Sequence, residues 1–140
     1  MTGGGTARRL AALLLAGALA APLAACDDAP PPPHLTVPGG DPDRGRAALA
    51  AHACDACHVI PGLRSLRSWV GPPLENFAQR DYIAGRLPNR PAILIAWILD
   101  PPALAPETAM PAVGVTEAAA RDMAAYLYTL GAEGARPPQV

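Results

Sequence analysis

Apolar residues recur at helical spacing in three stretches of this chain and alternate at strand spacing in none. Asp41-Pro42 offers an N-cap followed by a proline at the first helical position, and RGRAALAAHA carries the pattern into Cys54. PAILIAWIL, at 91–99, predicts a second helix, stopped by Asp100-Pro101-Pro102. Thr116 caps a third, TEAAARDMAAYLYTL, which ends at Gly131 and aligns Met123, Tyr126, Leu127 and Leu130 on one face. A short helical piece, LENFAQRDYIAG, is expected over 74–85, with a break at 85–89. Residues 61–73 and 100–115 read as irregular chain, dense in Gly and Pro. With no repeat and no alternating run, the expectation is an all-α domain over 41–131, built from three or four short helices and long loops.

The segment ahead of that domain has a different character. Arg8 and Arg9 precede an apolar run from Leu10 to Leu23. The run is shorter than the roughly 20 residues that span a bilayer, and Pro22 interrupts it, which is the build of a secretory signal peptide. Its end, Leu23-Ala24-Ala25-Cys26, resembles the lipobox of bacterial lipoproteins. That resemblance implies cleavage after residue 25 and lipid on Cys26, and it accounts for one of the three cysteines. Asp27 and Asp28 follow, resembling a signal that retains lipoproteins in the inner membrane. Residues 26–40 are expected to be a proline-rich tether, with His34 in it, reaching roughly 40 Å in polyproline II. Residues 132–140 are expected to be a tail.

Composition narrows the function classes. The chain of 140 residues has net charge −1 and no Lys, so it has no basic excess for nucleic acid. Eighteen Pro, 13 Gly and only six aromatics leave a thin core for a domain of this length. A loop as long as 100–115 also asks for a purpose. A large apolar cofactor answers both.

The chemistry is concentrated at Cys54-Asp55-Ala56-Cys57-His58. C-x-x-C-H reads as a c-type haem attachment site. Two thiols three residues apart can add to the two vinyl groups on one porphyrin edge, and the next residue aims its imidazole at the iron. The alternatives are a redox disulfide, which lacks its βαβ context, a zinc site borrowing His52, and a structural disulfide. For the second axial position the candidates are Met110, Met123, His52 and His34. Met123 belongs to the apolar face of the last helix, and His52 is too near His58 in sequence to cross the ring. Met110-Pro111, in the long loop, is the expected ligand. The alternative is an iron that Met110 leaves open.

Taken in order, Cys54-x-x-Cys57-His58, Gly71-Pro72-x-Leu74, Trp97-Ile98-x-Asp100-Pro101, Met110-Pro111 and Tyr126-Leu127-x-x-Leu130 resemble class I c-type cytochromes. The stretch from Leu87-Pro88-Asn89 to Met110-Pro111 is similar to cytochrome c domains of haem–copper oxidase subunit II. The resemblance implies one covalent haem c, with His58 and Met110 as axial ligands. It implies that the Pro72 carbonyl meets the ring N–H of His58, that Trp97 and less directly Arg80 stand near the haem propionates, and that the first helix crosses the last with Gly45 or Leu49 against Tyr126. It further implies a single-electron carrier rather than an enzyme, on the periplasmic side of the bacterial inner membrane. Its partners would be a quinol–cytochrome c oxidoreductase and a haem–copper oxidase, or alternatively a periplasmic dehydrogenase. An open iron would instead suit a gas sensor or a peroxidase-like enzyme. Many family members ring the haem edge with Lys for docking, and this chain has none. From Cys26 onward its charge is −3, with +3 over 59–99 and −4 over 100–134.

Overall fold

The computed structural model describes residues 33–64 and 70–132. The signal peptide, Cys26, the first part of the tether and nearly all of the tail lie outside the described residues. Four helices pack in the described part: α1 (Pro42–Ala51), α2 (Pro91–Leu99), α3 (Pro101–Leu104) and α4 (Glu117–Thr129). Three single-turn 3₁₀ segments and a hairpin of two-residue strands, β1 (Tyr82–Ile83) and β2 (Leu87–Pro88), complete it. No described helix is long and apolar enough to cross a membrane.

The helix starts follow from local chemistry. The Asp41 carboxylate accepts from Arg44 N at 2.9 Å with Pro42 just inside α1. Thr116 Oγ accepts from Ala119 N at 3.3 Å at the head of α4. Gly131, at φ +81°, takes the left-handed position that closes α4. A Cβ on Gly131 would lie 2.5 Å from Asn76 Cα, so the same glycine lets the chain before the hairpin lie against the end of α4.

Four expectations are corrected. The segment 74–85 is not helical: Asn76 sits at φ +52°, and only a 3₁₀ turn, Phe77–Gln79, forms before Arg80 becomes extended. Strands do occur. Tyr82 pairs with Pro88 and Ile83 with Leu87 around Ala84 and Gly85, both at positive φ as a tight hairpin turn requires. Asp100-Pro101-Pro102 stops α2 and at once begins α3, because the Asp100 carboxylate accepts from Ala103 N at 3.2 Å and the prolines occupy the first turn. Last, residues 33–40 are not free tether. Leu35 (4% exposed) and Val37 (7%) are buried in the core, and a Cβ on Gly40 would meet Ala125 Cβ at 2.9 Å. This strap lies against α4.

α1 crosses α4, as the resemblance implied, and Leu49 and Tyr126 share the core there. Gly45 faces the backbone of Asp122 and Met123, and a Cβ there would fall within 2.5 Å of the Asp122 carbonyl carbon. Tyr126 spends its hydroxyl elsewhere, donating to the Pro61 carbonyl at 2.6 Å. Alanine in a helix interior gains about 1 kcal/mol over glycine. Here the clash is with main chain that cannot swing aside, and overpacking costs about 1–3 kcal/mol or more. Gly45→Ala is therefore expected to lower stability despite its propensity, measurable as a reduced urea midpoint.

The crossing is tied by charge. Arg44 Nε donates to Asp122 Oδ2 at 2.8 Å, its Nη2 donates to Oδ1 at 3.0 Å, and Asp41 N donates to Oδ1 at 2.8 Å. The Arg44 guanidinium holds the largely buried Asp122 carboxyl below the usual carboxylate range. A lowered native pKa contributes stability above the unfolded value near 3.9, and loses it as pH falls through the native value. Wild type should therefore lose stability steeply below roughly pH 4. Asp122→Asn should be less stable at pH 7 and show a flatter slope in that acid window, as read from denaturant titrations at each pH.

Candidate functional site

α1 delivers the chain to the Cys54–His58 motif and then yields. His52 closes the helix, Ala53 turns left-handed at φ +52°, and Cys54–Ala56 forms a 3₁₀ turn. Cys57 N and His58 N both donate to the Cys54 carbonyl, at 3.3 and 3.0 Å. The tight turn therefore projects two cysteines and a histidine within five residues. Cys54 and Cys57 are free thiols, both half-buried. Burial pushes the Cys54 thiol up from its ordinary value, with the Asp55 carboxylate adding to it. That opposes the lowered pKa an attacking redox cysteine needs. Among the described residues no group of three His, Cys, Asp or Glu could hold a metal ion, so the zinc alternative finds no ligand cluster there.

His58 is oriented from both sides. Its Nδ1 lies 2.7 Å from the Pro72 carbonyl, which assigns the proton to Nδ1. Nε2 makes no hydrogen bond among the described residues and is left with its lone pair for a ligand. Gly71 lies flat on the imidazole: a Cβ there would be 2.6 Å from Nδ1 and 2.9 Å from Nε2. The segment is stapled to the motif by Gly71 N to the Cys57 carbonyl and Leu74 N to the Val59 carbonyl, both 2.8 Å. The glycine is thus required by the ring it covers.

The remaining candidates separate clearly. Met110 is half-buried and packs on the edge of the core, as Cys54 does. It follows a turn in which Thr108 N donates to the Ala105 carbonyl at 2.9 Å, and Met110 N donates to Thr108 Oγ at 3.2 Å. An ion pair between Arg86 of the hairpin turn and Glu107 fastens this loop. Met123 is fully buried on α4 (0% exposed), a core residue. His34 is exposed on the strap and His52 is half-buried at the end of α1. Trp97 is buried on α2 (7%), and its ring N–H makes no hydrogen bond among the described residues. No buried side-chain polar atom there lacks a partner, so that N–H reaches accessible space. Arg80 is occupied: it donates to the Pro73 carbonyl and, at 3.2 Å, to that of Glu75, and its guanidinium lies 5.4 Å from the Phe77 ring centroid.

Sequence reading missed Asn89. It is buried (7%), donates through Nδ2 to the Phe77 and Arg80 carbonyls at 3.1 and 2.9 Å, and accepts from the Tyr128 hydroxyl at 3.0 Å. A break between helices gave no reason to expect a polar hub.

The donor set fits a covalently held haem. Two unpaired thiols stand three residues apart, an imidazole has its near nitrogen fixed and its far one without a hydrogen bond among the described residues, and a half-buried thioether sits at the rim of a thin core. Comparison with known proteins agrees. The family model described as Cytochrome c matches residues 42–131. The chain is 35% identical over 89 residues to cytochrome c oxidase subunit 2 of Alkalihalophilus pseudofirmus, covering 63% of this chain and 25% of that protein. It thus spans about a quarter of the relative's length.

Proposed function

Because the chain belongs to the cytochrome c family, with the class I fold and one covalent haem c, we propose that it delivers single electrons to a membrane terminal oxidase. Electron transfer is the family's chemistry. The oxidase as acceptor is supported by the relative's being an oxidase subunit. The observation that carries the reading is His58, with Nδ1 on the Pro72 carbonyl and Nε2 without a hydrogen bond among the described residues.

When bound, the haem supplies a one-electron Fe(III)/Fe(II) couple. Everything else is the chain's work. Cys54 and Cys57 hold the ring edge. His58 would hold the iron through Nε2, and the Pro72 carbonyl on its Nδ1–H fixes the tautomer and would raise its basicity as a ligand. Met110, on the loop that α3 and the Arg86–Glu107 pair position, would supply a thioether to the iron, a soft sulfur that would favour the reduced state. Trp97 and Arg80 border the site. Were both residues to stay bound in the two oxidation states, little would reorganise on electron transfer, which would suit a carrier better than a turnover catalyst. A periplasmic dehydrogenase subunit is the second reading. Adding the purified protein to oxidase-containing membranes should stimulate cytochrome-dependent oxygen uptake. Reduction by a dehydrogenase's substrate with no stimulation of uptake would favour the alternative.

We further propose that the protein is exported, lipidated on Cys26 and anchored on the periplasmic face of the inner membrane. With residues 33–40 docked on the domain, six residues separate Cys26 from it, a reach of roughly 20 Å at most. The domain then works close to the bilayer, where its redox partners are, at millimolar effective concentration. Cys26→Ser should leave the membrane fraction while keeping its haem spectrum. Its oxygen uptake with membranes should fall at low protein concentration and recover at high. Retention of Cys26→Ser in a salt-washed pellet would rule out lipid as the anchor.

A further inference from the structure

The carbonyl that orients His58 belongs to an awkward segment. Pro72 is exposed, and neither Pro72 nor Pro73 has an N–H to anchor it. Gly71 N and Leu74 N hold the two ends, at the Cys57 and Val59 carbonyls. Leu74 is buried in the core, but the two prolines between these ends can accept hydrogen bonds only through their carbonyls, from donors elsewhere.

Arg80 is that donor. Its guanidinium donates to the carbonyls of Pro73 and Glu75, bracketing the turn just after Pro72, and rests on the ring of buried Phe77. One guanidinium nitrogen, Nη2, shared between two carbonyls, with the planar group over an aromatic face, leaves little freedom. Arg80 is fixed in turn. Its own carbonyl and that of Phe77 accept from Asn89 Nδ2, Asn89 N donates to the Asp81 carbonyl at 2.9 Å, and Asn89 Oδ1 accepts from Tyr128. Tyr128 is fully buried in α4.

We propose that Arg80 is a positioning residue for the proximal histidine: anchored through Asn89 to Tyr128, it holds the 73–75 carbonyls and so keeps the Pro72 carbonyl on His58 Nδ1. This rests on His58 being the haem ligand, and gives the foot of the hairpin a task at the site. A rival use of Arg80, as charge partner of a haem propionate, would leave the His58 hydrogen bond indifferent to it.

Solvent exchange of the His58 ring N–H separates the two. It is read by NMR on the full haem-loaded, ¹⁵N-histidine-labelled chain in the reduced state. Arg80→Met is expected to speed exchange about fivefold or more, the equivalent of losing one ordinary hydrogen bond from the structure that must open. Arg80→Lys, which keeps a single donor nitrogen but loses the planar group over Phe77, should recover part of the protection. Tyr128→Phe, which removes only a hydroxyl, should speed exchange to a lesser degree, and decides the matter if Arg80→Met does not fold. Unchanged exchange in Arg80→Met, or in Tyr128→Phe where Arg80→Met is unfolded, overturns the proposal, whatever the redox potential does. A wild-type chain without a covalent haem spectrum would contradict the ligand assignment instead.

Discussion

The double substitution Cys54→Ala/Cys57→Ala is expected to abolish covalent haem. After denaturation and electrophoresis, haem staining of the chain should fall to background. Each single variant should keep a weaker band. The 3₁₀ turn presents two thiols from one short segment, so either alone can still form one thioether, with the other ring edge unfastened. Both cysteines are free and half-buried beside the core, and no third ligand in the described residues lets them serve a metal of their own. A stained band of full intensity from the double variant would remove the attachment chemistry from these residues.

Met110→Ala should have the second-largest effect, on the electronic state rather than on attachment. The oxidised wild type is expected to show the weak far-red absorption that the family shows with methionine on the iron, and the variant should lose it. After reduction to Fe(II), the open position should then accept added CO. The potential should fall on the order of 0.1 V or more, well inside the ~0.8 V range over which axial ligands move haem couples. Met123→Ala is the control. Met123 is fully buried on α4, so its truncation should cost about 2–5 kcal/mol of stability and leave the far-red band in place. Loss of the band in Met123→Ala but not in Met110→Ala would exchange the two assignments.

The helices were legible because their signals are local. Asp41-Pro42, Thr116 and Gly131 act within one turn of themselves, and the apolar period of α2 and α4 needs no distant partner. The corrections share an opposite cause. The strands of the hairpin are two residues long, too short to alternate, and Ala84 has nothing in its side chain to announce a positive φ. Asp100-Pro101-Pro102 carries stop and start signals at once, so the brief α3 hid behind the end of α2. Leu35 and Val37 stand isolated among prolines, where only the groove against α4 gives them somewhere to go.

The site divides in the same way. Cys54, Cys57 and His58 are contiguous, and their spacing alone states the chemistry. Gly71-Pro72 carried a resemblance, but the physical reason for the glycine, an imidazole occupying the place of its side chain, appears only in three dimensions. The pairings of Asn89 and Asp122 were not legible. They join groups 9 to 81 positions away, and long-range pairing of that kind leaves no periodic trace.

One covalent structure, haem joined to Cys54 and Cys57, underlies every role assigned above, and intact-peptide mass spectrometry of the wild-type chain tests it most directly. Protein matured in an exporting bacterial host is digested without reduction, and the peptide containing residues 54–58 is weighed. The predicted mass is that of the peptide plus one haem joined through both sulfurs, with fragmentation placing the adduct on Cys54 and Cys57. A peptide carrying two free thiols, or lighter by two hydrogens as a Cys54–Cys57 disulfide, would contradict the assignment.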